Sequence, residues 1–292
     1  MMHSSGASSN ARHMNHTVAM GLVQRLRAGE ECSVNWVSPA VSAILAAVRI
    51  ARVTTPVTFQ GHALEYARIN GLRSVLEGEP VPRPESGALC GTTYSPLASL
   101  ATHPEVNACN ERIGSVLQNA LRAWPPAVLS ALLDIIGELH DNVASHARAR
   151  GYSAAQVYGS RLEYVVADCG QGLLKNAKRV RPMMTTDVEA VEWAFERGTT
   201  SCGDEPDPMA QRMPEDHIYG DAELGDHHQG IGLAKVRDVV DRAGGSLWVA
   251  TGSAHRVYGN GRWRDSYGAQ PPWPGLAIEL DIPLDVAAKK IT

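Results

Sequence analysis

Glu138 and Asn142 stand four residues apart in the stretch LLDIIGELHDNVASHA, and His146 follows after another four. Spacing by four stacks side chains on one line along a helix. Leu132, Ile135, Ile136, Leu139 and Val143 form the apolar stripe of that helix, so the polar line runs along the border of a buried face. A carboxylate and a carboxamide one turn apart can do complementary work on a nucleotide. The amide oxygen of Asn142 ligates Mg²⁺, and the carboxylate of Glu138 orients or deprotonates water. Taken alone, the line reads more readily as a solvated polar edge.

Two further stretches weigh against that plain reading. Glu163 to Ala167 (EYVVA) has the composition of a buried strand and runs directly into Asp168-Cys169-Gly170-Gln171-Gly172, a D-x-G-x-G turn. Glycines allow positive φ and a close approach of backbone to a ligand. A carboxylate at a strand end can accept a hydrogen bond from an exocyclic amine, as on an adenine ring, and Asp168 is the candidate. Such a turn also occurs as a simple turn. The third stretch, Gly230-Ile231-Gly232-Leu233, leads into a helical segment from Ala234 to Ala243. Bare backbone N–H groups at a helix start form a phosphate site. A dinucleotide fingerprint is excluded, because its third glycine would fall on Lys235.

These residues need elements to hold them. Apolar residues at helical spacing predict helices over 104–122 and 126–149. Gly244-Gly245 stops the helix that begins at Ala234, Ser246 to Thr251 (SLWVAT) predicts a strand, and Gly275 to Leu284 alternates as a closing strand. At least one more strand is expected before Glu163. An α+β fold satisfies this order: a two-layer α/β sandwich with a mixed, mostly antiparallel sheet covered by helices on one face.

Together, E-x-x-x-N at Glu138 and Asn142, D-x-G-x-G at Asp168 to Gly172 and G-x-G-L at Gly230 to Leu233 resemble the three nucleotide-binding boxes of the GHKL ATPases, in order and spacing. That family joins histidine kinases, DNA gyrase, MutL and heat-shock ATPases on the Bergerat fold. AFERGTTS, then GIGLAKVRDVVDRAGGSLWV, resemble the lid and following helix of sensor histidine kinases most. The resemblance implies ATP and Mg²⁺ as ligands. It implies that Asn142 holds Mg²⁺, Asp168 binds the adenine amine, Gly170 and Gly172 shape the base pocket, and Gly230, Ile231, Gly232 and Leu233 meet the phosphates. Glu138 would be the general base, and His146 would touch a phosphate oxygen. One departure is Leu276 after Gly275, where histidine kinases often carry Thr or Ser.

Ahead of this unit, Cys32, Val34 and Trp36 alternate as in a half-buried strand, and Ser38-Pro39 opens a helix running to about Arg52. A second apolar stretch at Val57 to Gln60 and a helix over Ala63 to Leu76 complete a β-α-β-α order, which resembles the small STAS-like domains of anti-sigma-factor antagonists. The expected organisation is a disordered tail at 1–20, a small α/β domain at 21–80, a Pro/Gly/Ser-rich linker at 81–103 and the ATP-binding unit at 104–292. The stretch between Thr251 and Gly275 reads as a long hairpin or a partner-binding loop. His217, Asp226, His227, His228 and Cys202 match no regular zinc spacing, so a mobile acidic lid is the better account of their segment.

With 44% hydrophobic and 20% charged residues the chain is an ordinary globular one, and its 292 residues allow two domains. A net charge of −4 leaves no overall basic field, so nucleic acid is not indicated as a partner. Five scattered cysteines without a C-x-x-C pair fit reduced thiols and the cytoplasm. No apolar run approaches the roughly 20 residues of a membrane span. His62 precedes Ala63 and His103 precedes Pro104, so neither resembles a phosphoacceptor histidine, and the gyrase and MutL versions would need a transducer domain after the ATP site. The expectation is a slow Mg²⁺-dependent ATPase whose lid closure controls contacts with a protein partner or a second copy. A protein kinase acting on His or Ser, and a nucleotide-gated module without turnover, are the alternatives.

Overall fold

A computed structural model of the protein describes residues 15–51, 53–82, 89–147, 149–196, 232–266 and 270–285. Its centre is a seven-stranded sheet in the order β3-β4-β5-β9-β6-β7-β8. The strands are β3 (Tyr94–Ser99), β4 (Gly151–Tyr158), β5 (Arg161–Asp168), β6 (Ser246–Gly252), β7 (Ala254–Gly259), β8 (Arg262–Asp265) and β9 (Trp273–Pro283). All its pairings are antiparallel, where a mixed sheet was expected. The closing strand β9 lies between β5 and β6, with Ala167 opposite Ala277 and Ala250 opposite Ala277 on its other side.

One face of the sheet carries Leu162, Tyr164, Val166, Leu247, Val249, Ile278 and Leu280. Helices α5 (His103–Ala120), α6 (Pro126–His146), α7 (Gly172–Val180), α8 (Asp187–Ala194) and α9 (Gly232–Ala243) supply the opposing side chains of this core. Leu132, Ile135, Ile136, Leu139 and Val143, the stripe expected on α6, are all buried. Helix and sheet on this side are compatible with a two-layer α/β sandwich. Thr186 caps α8 in a reciprocal box with Glu189, satisfying two of the N–H groups that a helix start leaves unpaired.

Residues 15–82 cover the other face of the same sheet. They form α1 (Asn15–Arg27), β1 (Cys32–Val34), α2 (Pro39–Ile50), β2 (Val57–Phe59), α3 (His62–Ile69) and α4 (Leu72–Leu76). Strands β1 and β2 pair in parallel as a separate two-stranded sheet. Every residue of α2 from Pro39 to Val48 is buried, since one side of the helix meets β4 and β5 and another meets α1 and α4. A helix apolar all round requires such a double covering. Ser38 accepts a hydrogen bond from Val41 N at 3.3 Å and Pro39 takes the first position, as their types predict. Helix α1 begins at Asn15, inside the stretch expected as a tail, and its His16, Ala19 and Met20 are buried. The helix expected over 63–76 is broken at Gly71, whose φ of +86° ends α3 and restarts the chain as α4.

The stretch expected as a linker, 81–103, contains β3. Its Pro96 can sit in a strand because β3 is an edge of the sheet, where a missing N–H costs no ladder bond. At the opposite edge, β8 is Arg262-Trp263-Arg264-Asp265, a charged strand of the kind that resists further pairing. The segment between Thr251 and Gly275 therefore includes the hairpin β7–β8.

Three acidic residues sit on the sheet face that meets the N-terminal segment. Glu163 on β5 faces Asp281 on β9 in register, and Glu279 follows two positions along on the same face. Glu163 accepts from Ala40 N at 2.9 Å, at the start of α2, and from Asn15 Nδ2 at 2.5 Å. Glu279 accepts from His16 N at 3.0 Å and lies 2.7 Å from His16 Nδ1, while Arg161 pairs with Asp281 at 2.6 Å. The His16 ring stacks on Trp248 at 4.4 Å. Two helix starts are thus held to the sheet by carboxylates placed where the partial positive charge of a helix end favours them.

Candidate functional site

Asp168 ends β5 opposite Gly151, the first residue of β4, and is buried. Its Oδ1 accepts from Gly170 N at 2.7 Å, and the Leu276 N–H also serves the carboxyl group. Burial pushes its pKa up to about 6, against the pull of those two N–H groups. A carboxylate has about four acceptor positions, so two backbone donors leave capacity for another. Its carbonyl oxygen accepts from the buried indole of Trp273 at 2.9 Å.

Glycines surround this carboxylate because nothing larger fits. A Cβ on Gly275 would lie 2.4 Å from both Asp168 O and Asp168 Oδ1. One on Gly170 would lie 2.0 Å from Ala147 O, and one on Gly151 would lie 2.4 Å from Val143 Cγ1. These two contacts tie the Asp168 turn to the last turns of α6, and Gln171 N donates to Ala147 O at 3.2 Å. Gly172 has φ +69°, and a Cβ there would meet Thr251 Oγ1 at 2.9 Å. Sequence reasoning found Gly170 and Gly172 through their motif. It gave no role to Gly151, which opens β4 and belongs to no motif.

Leu276 was expected to leave a polar contact missing on the closing strand. Its backbone N–H goes to Asp168, and the buried hydroxyl of Thr251 on the neighbouring β6 accepts from Leu173 N at 3.0 Å. The polar groups behind the turn therefore come from main chain and from β6. Tertiary pairing decides this, and no local motif announces it.

Glu138 and Asn142 are both half-buried on α6. Helix α6 packs between α5 and α9. His140 marks the α5 flank: fully buried, its Nδ1 is 2.5 Å from Asn110 Oδ1 on α5 and its Nε2 is 2.9 Å from Ser153 Oγ on β4. At about 100° per residue, Asn142 lies roughly 160° around the helix from His140, so Asn142 and Glu138 occupy the flank away from α5. Burial holds the His140 pKa down to about 3, which keeps the ring neutral. The neutral ring links Asn110 to Ser153, whose hydroxyl donates to Val165 O at 3.0 Å, and the network fixes the rotation of α6. The sequence reading missed His140 because a histidine between two singled-out polar residues carries no signal of its own.

Gly232 is the first residue of α9, and Leu233 is half-buried against the larger core. Gly230 and Ile231 lie outside the described residues, as do the side chain of His146 and the expected lid from residue 197 onward, while Ala194 and Phe195 at its start are buried. The structure brings together Asp168, Gly170, Gly172 and Gly275 with the end of α6 that carries Asn142. Among the described residues no cluster of His, Cys, Asp and Glu is arranged to hold a metal ion, and no helix is long and apolar enough to cross a membrane. Comparison of the chain with protein families, with curated proteins and with solved structures finds no match.

Proposed function

We propose that the site floored by Asp168 binds ATP as in the GHKL ATPases, on a Bergerat-type arrangement of α6, β4, β5, α9, β6 and β9, and that the protein is a slow Mg²⁺-dependent ATPase serving as a regulatory switch. One observation carries the reading. A single buried carboxylate with acceptor capacity to spare is enclosed by glycines that admit no Cβ, beside the helix end that bears a half-buried carboxylate and carboxamide.

In this reading Asp168 accepts the exocyclic amine of adenine, and Gly170 and Gly172 let the base approach the backbone. Asn142 offers an amide oxygen, and a single protein oxygen is a fitting share for Mg²⁺ that is otherwise held by phosphates and water. When bound there, the ion neutralises phosphate charge. Glu138, one turn earlier, takes the proton of the water that attacks the terminal phosphorus, as the bond to the bridging oxygen breaks and ADP leaves. Gly230 to Leu233 meet the phosphates at the start of α9. Nucleotide state then controls contacts with a protein partner or a second copy.

Calorimetry with ATP and ADP in the presence of Mg²⁺, on the natural protein and on Asp168→Ala, tests the binding. Phosphate release by Glu138→Ala tests the turnover. Binding lost in the first variant, and release lost with binding kept in the second, is the expected pair of results. Failure of the natural protein to bind either nucleotide would sink the proposal.

A further inference from the structure

In the N-terminal segment, between the C-terminal half of α2, the stretch Val53 to Phe59 that includes β2, and α4, lies a cavity of about 410 Å³. Leu45 and Val48 of α2 form its floor, Phe59 and Leu76 its walls, and Leu64 part of its mouth. That volume lies in the range of small-molecule sites, which are mostly apolar with a few placed polar groups.

Polar side chains also line it: Arg49, Thr54, Thr55, Thr58, Arg73 and Glu77. Thr55 donates its hydroxyl proton to Leu26 O at 2.9 Å and Thr58 donates to Cys32 O at 3.3 Å. Arg73 is neutralised by Glu77 at 2.7 Å. Among the described residues, Arg49, half-buried in the lining, has one long hydrogen bond, to Val53 O at 3.4 Å, and no carboxylate pairs with it. A cavity of mixed lining with one guanidinium that no carboxylate neutralises complements an apolar body that ends in a negative charge, since a guanidinium takes a carboxylate through two parallel N–H donors.

We infer that this cavity binds a small amphipathic carboxylate, with Arg49 as the counter-charge and α2, β2 and α4 holding the apolar body. The site is separate from the one floored by Asp168 and does not depend on the ATPase reading.

The test uses the full chain and two carboxylate probes, decanoate below its micelle concentration and naphthalene carboxylate, with decanol as the uncharged control. Saturable one-site binding of at least one carboxylate is expected by calorimetry, about tenfold tighter than decanol. Arg49→Gln should weaken it about tenfold and Arg49→Lys should recover part of the loss. Leu64→Trp at the exposed mouth should weaken carboxylate and alcohol alike, and Asp168→Ala should bind as the natural protein does. Circular dichroism on each variant establishes that it is folded. The inference is overturned if neither carboxylate saturates, if decanol binds as tightly, or if folded Arg49→Gln and Leu64→Trp bind unchanged.

Discussion

Replacing Glu279 by Gln should remove much of an alkaline weakness that the fold builds into itself. Glu163 and Glu279 are 3% and 2% exposed, and burial together with their mutual repulsion pushes the pair up to about 8 from an ordinary 4.5. The folded state therefore holds protons that the unfolded chain has already released, so stability falls as pH rises from 4.5 towards 8. Other buried groups act weakly in the upper part of that range. His16, His140 and His255, all lowered by burial, are neutral when folded, and the protons they bind in the unfolded chain are about half gone at 6.5 and mostly gone by about 7.5, a small opposing effect; the excess proton on Asp168 is mostly gone by about 7. Cys109 and Cys169, pushed up to about 12, matter only above the ordinary thiol range.

Between pH 6.5 and 8 each retained proton is worth about 1.4 kcal/mol per pH unit, so the pair contributes on the order of 2 to 4 kcal/mol. For a chain of this size that is a fall in melting temperature of roughly 5 to 10 °C. Calorimetric melts at steps across this window should show it in the natural protein. Glu279→Gln should lose at least half the slope, because Gln keeps an acceptor for His16 N without the charge, and the double variant Glu163→Gln/Glu279→Gln should be nearly flat. A natural protein whose melting temperature is constant or rises from 6.5 to 8 would refute the reasoning, as would a full slope in the double variant.

Gly275→Ala forces a methyl group to 2.4 Å from two Asp168 oxygens, both held by the β5–β9 pairing, and should cost on the order of 1 to 3 kcal/mol in urea unfolding; a neutral result would mean the strands yield freely. Thr186→Ala removes one half of the α8 capping box and should cost about 1 kcal/mol by the same measurement. Asp168→Asn keeps an oxygen for Gly170 N but offers a weaker, uncharged acceptor to an amine, so ATP affinity should fall at least about tenfold in calorimetry while the melting temperature holds; equal affinity would remove Asp168 from base recognition. His140→Leu strands Asn110 and removes the ring's link to Ser153, whose hydroxyl keeps its bond to Val165 O, and should destabilise the protein by about 1 to 3 kcal/mol, visible as a lower urea midpoint.

Local chemistry determined the elements that carry the candidate site. The stripe Leu132, Ile135, Ile136, Leu139 and Val143 fixed α6 and its buried face, because a helix of this length needs only its own periodicity to declare which side is apolar. The Ser38-Pro39 start of α2, the run into Asp168 and the alternation of β9 were legible for the same reason. Other features belong to pairing between distant segments. The unbroken burial of β5 reflects a sheet covered on both faces, and no local pattern says that residues 15–82 supply the second cover. Strand β3 was hidden by a composition rich in Pro and Ser, which an edge strand tolerates and a central one does not. The insertion of β9 between β5 and β6 placed Gly275 and Leu276 N–H against Asp168, and Thr251 behind Gly172. It also set Glu279 near Glu163 under the starts of α1 and α2. The sequence alone determined which residues could do chemistry, because side-chain type and helical or strand period are local properties. Only the tertiary structure decided which groups are crowded, buried and left to share a proton, because those follow from strand order and from which layers meet.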